Sequence, residues 1–200
     1  MMSKLHYISA IVAALCLFST GAHATLVDEG ITYNLYESTT GNPLTDQFTL
    51  NISGINGPSD TQGGRYGVDS FAFNKPSNYA SATAPSGFTT IDGGLNSSGC
   101  NSSGNFYCFS ANTKPTGPAL AANSTLSYIF SVTLTSGDFS NYKPDFKINW
   151  LGTKNNYDLV SKELDPTPMT SVPEPGSLLI FGIGLLILGF TLRHRYRLRP

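Results

Sequence analysis

Few residues in this chain could do nucleophilic or metal chemistry, and the best candidates lie near its ends. The three histidines are His6, His23 and His194. Ser-His-Asp and Cys-His catalysis and the usual zinc sites all depend on an imidazole. The long middle of the chain offers none, so we expect no enzyme activity, no catalytic residue, no cofactor and no resident metal ion.

Carboxylates are the remaining acid–base candidates, because two of them can together hydrolyse a glycosidic bond. The candidates are Asp69, Asp92, Asp138, Asp145 and Asp158. Most of them fall at turns or exposed strand positions, where aspartate is expected for backbone reasons. A carboxylate-dependent polysaccharide hydrolase is therefore only a second alternative, and a calcium site in a turn such as that of Asp138 stays open.

Aromatic side chains could instead stack on sugar rings, as in a carbohydrate-binding module. Trp150 is the single tryptophan. The tyrosine candidates are Tyr66, Tyr79, Tyr107 and Tyr142. The alternation of Phe146, Ile148 and Trp150 favours a buried strand face over a sugar platform. A surface carbohydrate-binding module is therefore the first alternative function.

The N-terminus is typical of a secretory signal peptide at residues 1–24. Lys4 supplies positive charge, residues 8–18 form an apolar core, and Ala22 and Ala24 provide the small residues of an A-x-A cleavage site. We expect signal peptidase to cut after Ala24.

Export would reduce the number of cysteines in the chain from three to two. Cys16 leaves with the signal peptide, so Cys100 and Cys108 remain as a pair in an oxidising compartment. Their spacing does not fit a C-x-x-C redox motif. The sequence therefore favours a structural disulfide between them.

The body of the chain is acidic. Residues 25–176 carry seven Lys/Arg against thirteen Asp/Glu, a formal charge of −6. With no basic stripe, nucleic acid is excluded as a partner. Such a charge suits a domain that faces water.

Short alternating segments separated by Gly, Pro and Asn turns dominate the body. The clearest strand has Leu126, Tyr128, Phe130, Val132 and Leu134 on one face. About eight such strands predict an all-β fold, an antiparallel β-sandwich of jelly-roll-like form, over residues 25–160. Its four N-x-S/T sequons, whose modification stays open, begin at Asn51, Asn96, Asn101 and Asn123.

The C-terminus has three ordered parts. A proline-rich linker is expected at residues 161–171, and the strip Val172, Pro173, Glu174 and Pro175 should be extended because both prolines restrict it. A short apolar transmembrane helix is then expected at residues 177–192. The basic end at residues 193–199 holds the cytoplasmic stop residues Arg193, Arg195, Arg197 and Arg199. This topology places the body outside the cytoplasm, in agreement with the signal peptide.

The ordered set of motif, helix and arginines resembles the PEP-CTERM sorting domain, a tail also called the ice-binding protein C-terminal domain. The resemblance covers residues 171–199 and implies a Gram-negative bacterium in which an exosortase processes the tail by thiolate attack on a nearby carbonyl. It implies an inner-membrane, single-pass intermediate with a periplasmic ectodomain, delivered to the cell surface or beyond. The expected role is non-enzymatic, in exopolysaccharide or biofilm, with exopolysaccharide as the expected partner.

Overall fold

In a computed structural model of the chain, the described residues are 25–152 and 161–169. They form thirteen strands and no helix. In chain order the strands are β1 (Leu26–Asp28), β2 (Ile31–Asn42), β3 (Thr45–Ile55), β4 (Arg65–Asn74), β5 (Tyr79–Thr83), β6 (Phe88–Asp92), β7 (Leu95–Asn96), β8 (Gly99–Cys100), β9 (Phe106–Ala111), β10 (Ser124–Leu134), β11 (Asp145–Gly152), β12 (Lys162–Glu163) and β13 (Pro166–Pro168). The predicted all-β class is confirmed for this part of the chain.

Two sheets account for most of these strands. The larger has the order β1-β2-β3-β10-β5, with β13 also paired to β2, and the second has the order β12-β11-β4-β9-β6. All pairs are antiparallel except the pair of β13 with β2. The small hairpin β7–β8 forms a third unit.

The two sheets face each other across one hydrophobic core. Tyr33 of the larger sheet packs on Phe146 of the second at 5.2 Å between ring centroids, and Phe130 stacks on Phe73 at 5.3 Å. Alternation produces this arrangement, because every second residue of a strand points to the same face. In β10, Phe130, Val132 and Leu134 are buried as predicted.

The chain passes repeatedly from one sheet to the other, for example from β3 to β4, from β4 to β5 and from β9 to β10. Such crossings between packed sheets are the kind that a jelly roll makes. The finer jelly-roll assignment stays a prediction.

The linker predicted at 161–171 is wrong for the residues of it that are described, 161–169. Leu164 is fully buried in the core, β12 pairs with β11, and β13 pairs with β2. The prolines suggested an extended spacer, and Pro166 and Pro168 are indeed extended. They lie in an edge strand, where a missing N–H donor is tolerated. The folded body therefore extends past residue 160 to at least Met169.

Several predictions lie outside the described residues. They are the signal peptide with Ala22 and Ala24, the candidate carboxylate Asp158, the motif Val172–Pro175, the helix at 177–192 and the four tail arginines. Within the described ranges, we find no helix long and apolar enough to cross a membrane.

Candidate functional site

Besides its strand pairings, the end of the described chain is tied to the body by two backbone hydrogen bonds and two ion pairs. Leu164 N donates to Pro144 O at 2.8 Å, and Met169 N donates to Glu37 O at 2.6 Å. Two ion pairs flank these bonds: Lys162 with Asp28 at 2.6 Å and Lys143 with Asp165 at 3.0 Å. We call residues 161–169 the C-terminal strap. The strap ends three positions before Val172, the first residue of the predicted sorting motif.

The predicted disulfide is present in the structure. Cys100 and Cys108 are bonded, with their Cα atoms 5.7 Å apart. Cys108 lies in the middle of β9 and is fully buried beside Ala72 and Leu95. The bond therefore staples the β7–β8 hairpin onto the outer face of the second sheet.

Trp150 lies where the sequence placed it, on the core face of β11. It is 1% exposed, its Nε1 donates to Tyr33 Oη at 3.4 Å, and the Arg65 guanidinium lies 5.0 Å from its ring centroid. A sugar cannot reach this ring. Tyr107 is also fully buried, so neither aromatic serves as a stacking platform.

Arg65 joins the β1–β2 turn to the loop before β4 through a buried polar network. It contacts Asp60 at 3.1 Å and Glu29 at 3.2 Å. Burial alone would raise the pKa of Asp60, but hydrogen bonds from Gly63 N, Arg65 and Asn56 N lower it below its usual value. This network satisfies its own charges and has a structural role.

A carboxyl pair that sequence reasoning missed lies at one end of the larger sheet's inner face. Glu37 follows Tyr33 and Leu35 on the same face of β2 and hydrogen-bonds to Asp46, which is 8% exposed. Burial, followed by the hydrogen bond to Asp46 and its charge, raises the pKa of Glu37 to about 7. The period-2 pattern of β2 contained this signal, since it continues the core face onto Glu37.

The geometry of this pair does not suit glycoside hydrolysis. Retaining glycosidases hold their carboxyls about 5–5.5 Å apart and inverting ones about 6.5–9.5 Å, which leaves room for the sugar or for water. Carboxyls that hydrogen-bond directly are closer than either separation. The pair therefore forms a contact within the fold, with the proton held on Glu37.

Among the described residues, the proposed aspartates Asp69, Asp92, Asp138 and Asp145 do not come together as a catalytic pair. Asp138 accepts hydrogen bonds from the Ser140 N–H and hydroxyl, which lower its pKa and close a turn. Asp92 pairs with Lys75 at 3.5 Å, while Asp145 is exposed at the start of β11. Among the described residues, no three His, Cys, Asp or Glu side chains group as metal ligands.

A Ser-x-x-Lys spacing, which some acyl-transfer enzymes use, occurs at Ser140 and Lys143 and was missed from the sequence. In such enzymes the lysine must give up its proton to act as a base. Here the hydrogen bond to Asp165 raises the pKa of Lys143. Ser140 Oγ meanwhile donates to Asp138 at 2.5 Å. Ser140 therefore takes part in a turn, and Lys143 takes part in an ion pair.

A polar depression of about 240 Å³ opens between the β4–β5 and β10–β11 loops. Its wall combines amides, lysines, a carboxylate and one tyrosine, namely Asn74, Lys75, Asn78, Asp138, Asn141, Tyr142 and Lys143. Tyr142 Oη donates to Asn74 O at 2.8 Å and lies 2.8 Å from Tyr107 Oη. Amide groups around such a depression can exchange hydrogen bonds with hydroxyl-rich ligands.

Comparison with known families concerns the tail. The family model described as the PEP-CTERM protein-sorting motif matches residues 171–195. A search of curated proteins found no match. The described part of the chain is all-β with antiparallel sheets, and the match shows that the chain carries a PEP-CTERM sorting motif, as the sequence predicted. This motif implies an exported protein that an exosortase processes at the membrane.

Proposed function

We propose that this protein is a non-enzymatic component of the cell surface or of its exopolysaccharide matrix, delivered as a folded β-sandwich by its C-terminal tail. The observation that carries the proposal is the sorting motif at 171–195, directly following a body that folds up to Met169. The chain is then the substrate of the exosortase, and the tail is a temporary anchor.

The placement of the body's own reactive groups supports a structural role. Trp150 is in the core, Arg65 is engaged with Asp60, and Lys143 is engaged with Asp165. Each of these groups stabilises the fold. A disulfide-stapled sandwich of this kind is suited to persist outside the cell, where thiols are oxidised.

Exosortase access sets a further condition on this chain. Enzymes that cut a backbone bind several residues in extended form. Val172 follows Met169 by three positions, so the two are separated by about 10 Å even when the chain is fully extended. An enzyme that encloses the motif therefore meets the edge of the sheet. We propose that β13 leaves β2 during processing.

Variants of the motif and of the body test the delivery proposal in the native host. Pro173→Ala with Glu174→Ala should leave unprocessed protein in the inner membrane, whereas Ile129→Ala, at an exposed strand position, should be delivered normally. Normal delivery of the motif variant would overturn the exosortase role. Loss of the delivered protein from the matrix fraction after polysaccharide digestion would support the matrix role, and its persistence there would contradict it.

The second candidate function is carbohydrate binding at the depression between the β4–β5 and β10–β11 loops. The observation that favours it is the cluster of the side-chain amides of Asn74, Asn78 and Asn141 around one opening. A glycan array with the delivered protein tests this candidate. Binding that Asn78→Ala and Asn141→Ala abolish, and that Ile129→Ala keeps, would establish a site there. No glycan binding would exclude it.

A further inference from the structure

A β-bulge on the outer face of the second sheet gathers three oxygen-bearing side chains. Asn149 of β11 lies opposite Ser70 of β4, whereas the next residue, Trp150, lies opposite Val68. Asp69 is therefore the extra residue of the bulge. Such bulges redirect side chains. Phe71 and Trp150 face the core, so their neighbours Ser70 and Asn149 project to the opposite side.

The β7–β8 hairpin covers this cluster. Asn149 Nδ2 donates to Asn96 O at 2.7 Å, which holds the amide directly beneath the hairpin. A Cβ atom built on Gly99 would lie 3.7 Å from Asp69 Oδ2 and 4.0 Å from Ser70 Oγ. Since Cys100 is bonded to Cys108 of β9, the cover is fixed in place.

One buried acceptor beneath the cover has no donor, and a carboxylate beside it has only long contacts. Asn149 is 2% exposed, and its Oδ1 has no hydrogen-bond partner among the described residues. The Asp69 side chain is 12% exposed, and it contacts Ser70 Oγ at 3.5 Å and the Lys114 ammonium at 3.9 Å. Lys114 is itself 70% exposed, and a pair of this kind is weak.

Buried carboxylates and amide oxygens are costly to leave without a compensating charge or donor. A cation that prefers oxygen ligands would supply the compensating charge for the carboxylate and a partner for the amide oxygen. The Asp69 carboxylate, the Ser70 hydroxyl and the amide oxygen of Asn149 are all hard oxygen donors, the set that Ca²⁺ takes.

We propose that Asp69, Ser70 and Asn149 bind one Ca²⁺ ion beneath the β7–β8 hairpin, with water completing its coordination. This goes beyond the proposed delivery function and does not depend on it. With a single carboxylate, the dissociation constant should fall in the range of extracellular calcium modules, about 10⁻⁴–10⁻³ M. The Lys114 ammonium competes with the ion for Asp69.

Calorimetric titration with CaCl₂ tests the proposal on the full chain in detergent, after treatment with a chelator. We expect one ion per chain and a higher unfolding temperature in calcium. Asp69→Asn should remove both effects. Asp138→Asn, which changes an exposed turn carboxylate, should leave both unchanged.

A surface variant keeps the test valid if Asp69→Asn does not fold. Lys114→Gln changes an exposed side chain and removes the competing cation, so it should tighten calcium binding by about two- to five-fold, the weight of an exposed ion pair. Absence of calcium binding by the wild-type chain would overturn the proposal and leave an ordered water as the partner of Asn149. Binding that neither Asp69→Asn nor Lys114→Gln alters would place the ion elsewhere and overturn the proposal equally.

Discussion

Glu37 and Asp46 hydrogen-bond to each other, carboxyl to carboxyl, at the end of the inner face shared by β2 and β3. Burial of Glu37, its hydrogen bond to Asp46 and the negative charge of Asp46 all disfavour the ionised form of Glu37. Together they raise the pKa of Glu37 to about 7. The Tyr142 ring lies at the same end of the core, and its own pKa is raised by burial and, to a lesser degree, by the Glu37 charge.

This pair predicts a loss of stability as the pH rises. The pKa of Glu37 is about 7 in the folded state against 4.5 ordinarily. Between these values the folded chain holds a proton that the unfolded chain has released, so the free energy of unfolding falls as pH rises through this window and levels off above it. Glu37→Gln should flatten this dependence and stabilise the protein at pH 8.

Urea unfolding of wild type and Glu37→Gln at pH 5, 6, 7 and 8 measures the effect. This series covers most of the window between the two pKa values of Glu37, 4.5 and about 7, and extends above it. Glu163→Gln, in the exposed strand β12, is the control and should follow the wild type. Parallel curves for wild type and Glu37→Gln would show that Glu37 does not hold the proton.

Trp150 predicts a large stability effect. Trp150→Ala should lower the free energy of unfolding by about 3–5 kcal/mol, because it leaves a cavity in the core and removes the ring beneath Arg65. Ile129→Ala, at a side chain that is 54% exposed, should change it by less than about 0.5 kcal/mol. Similar midpoints in chemical denaturation for the two variants would contradict the packing. For the same reason, lost glycan binding in Trp150→Ala would not identify a sugar site.

The disulfide predicts sensitivity to reduction. The Cys100–Cys108 bond closes a short loop, which in the loop-entropy description contributes about 2–3 kcal/mol. A double variant, Cys100→Ser with Cys108→Ser, should lose that amount and become insensitive to reductant. Thermal unfolding with and without dithiothreitol measures it. A wild-type midpoint that does not move on complete reduction would contradict a stabilising role.

The pairing of the C-terminal strap with β2 predicts that the rate of tail removal depends on the release of β13. Thr167 is the register partner of Tyr36, so Thr167→Cys with Tyr36→Cys allows an oxidised lock between β13 and β2. The lock should slow tail removal. A Gly-Ser linker of about ten residues inserted after Met169 should restore the rate, because such a linker moves the motif away from the sheet edge.

Pulse-chase labelling of the unprocessed and processed chains measures these rates. The two single cysteine variants are the controls and should be processed like the wild type. Equal processing of locked and wild-type chains would show that β13 need not leave β2. If, in the same experiment, the Pro173→Ala with Glu174→Ala variant is not processed, the proposed role of the sorting motif still stands. The proposal for the motif and the proposal for β13 can therefore fail separately.

Alternation in the sequence was sufficient to predict the main strands of the fold. The core residues of β2, β10 and β11 follow a period of two, and the structure buries them accordingly. The pairing of Cys100 with Cys108 likewise followed from their number in an exported chain. These features are local or need only a count of residues.

Features that depend on contacts distant in sequence could not be predicted in the same way. Leu164 stands between charged residues and prolines, and only its docking against the core shows that the body continues there. The bulge that sets Asp69 beside Asn149 arises from the pairing of β4 with β11, about eighty positions apart in the chain. Neither local propensity nor turn signals report such a pairing.

The central claim is that the chain is exported and loses its tail near the sorting motif, and the intact mass of the mature protein from its native host tests it most directly. The expected mass corresponds to a chain that begins at Thr25 and ends close to Val172–Pro175, without the apolar segment 177–192 and the arginines after it. A mature mass that still includes Arg193–Arg199 would contradict it.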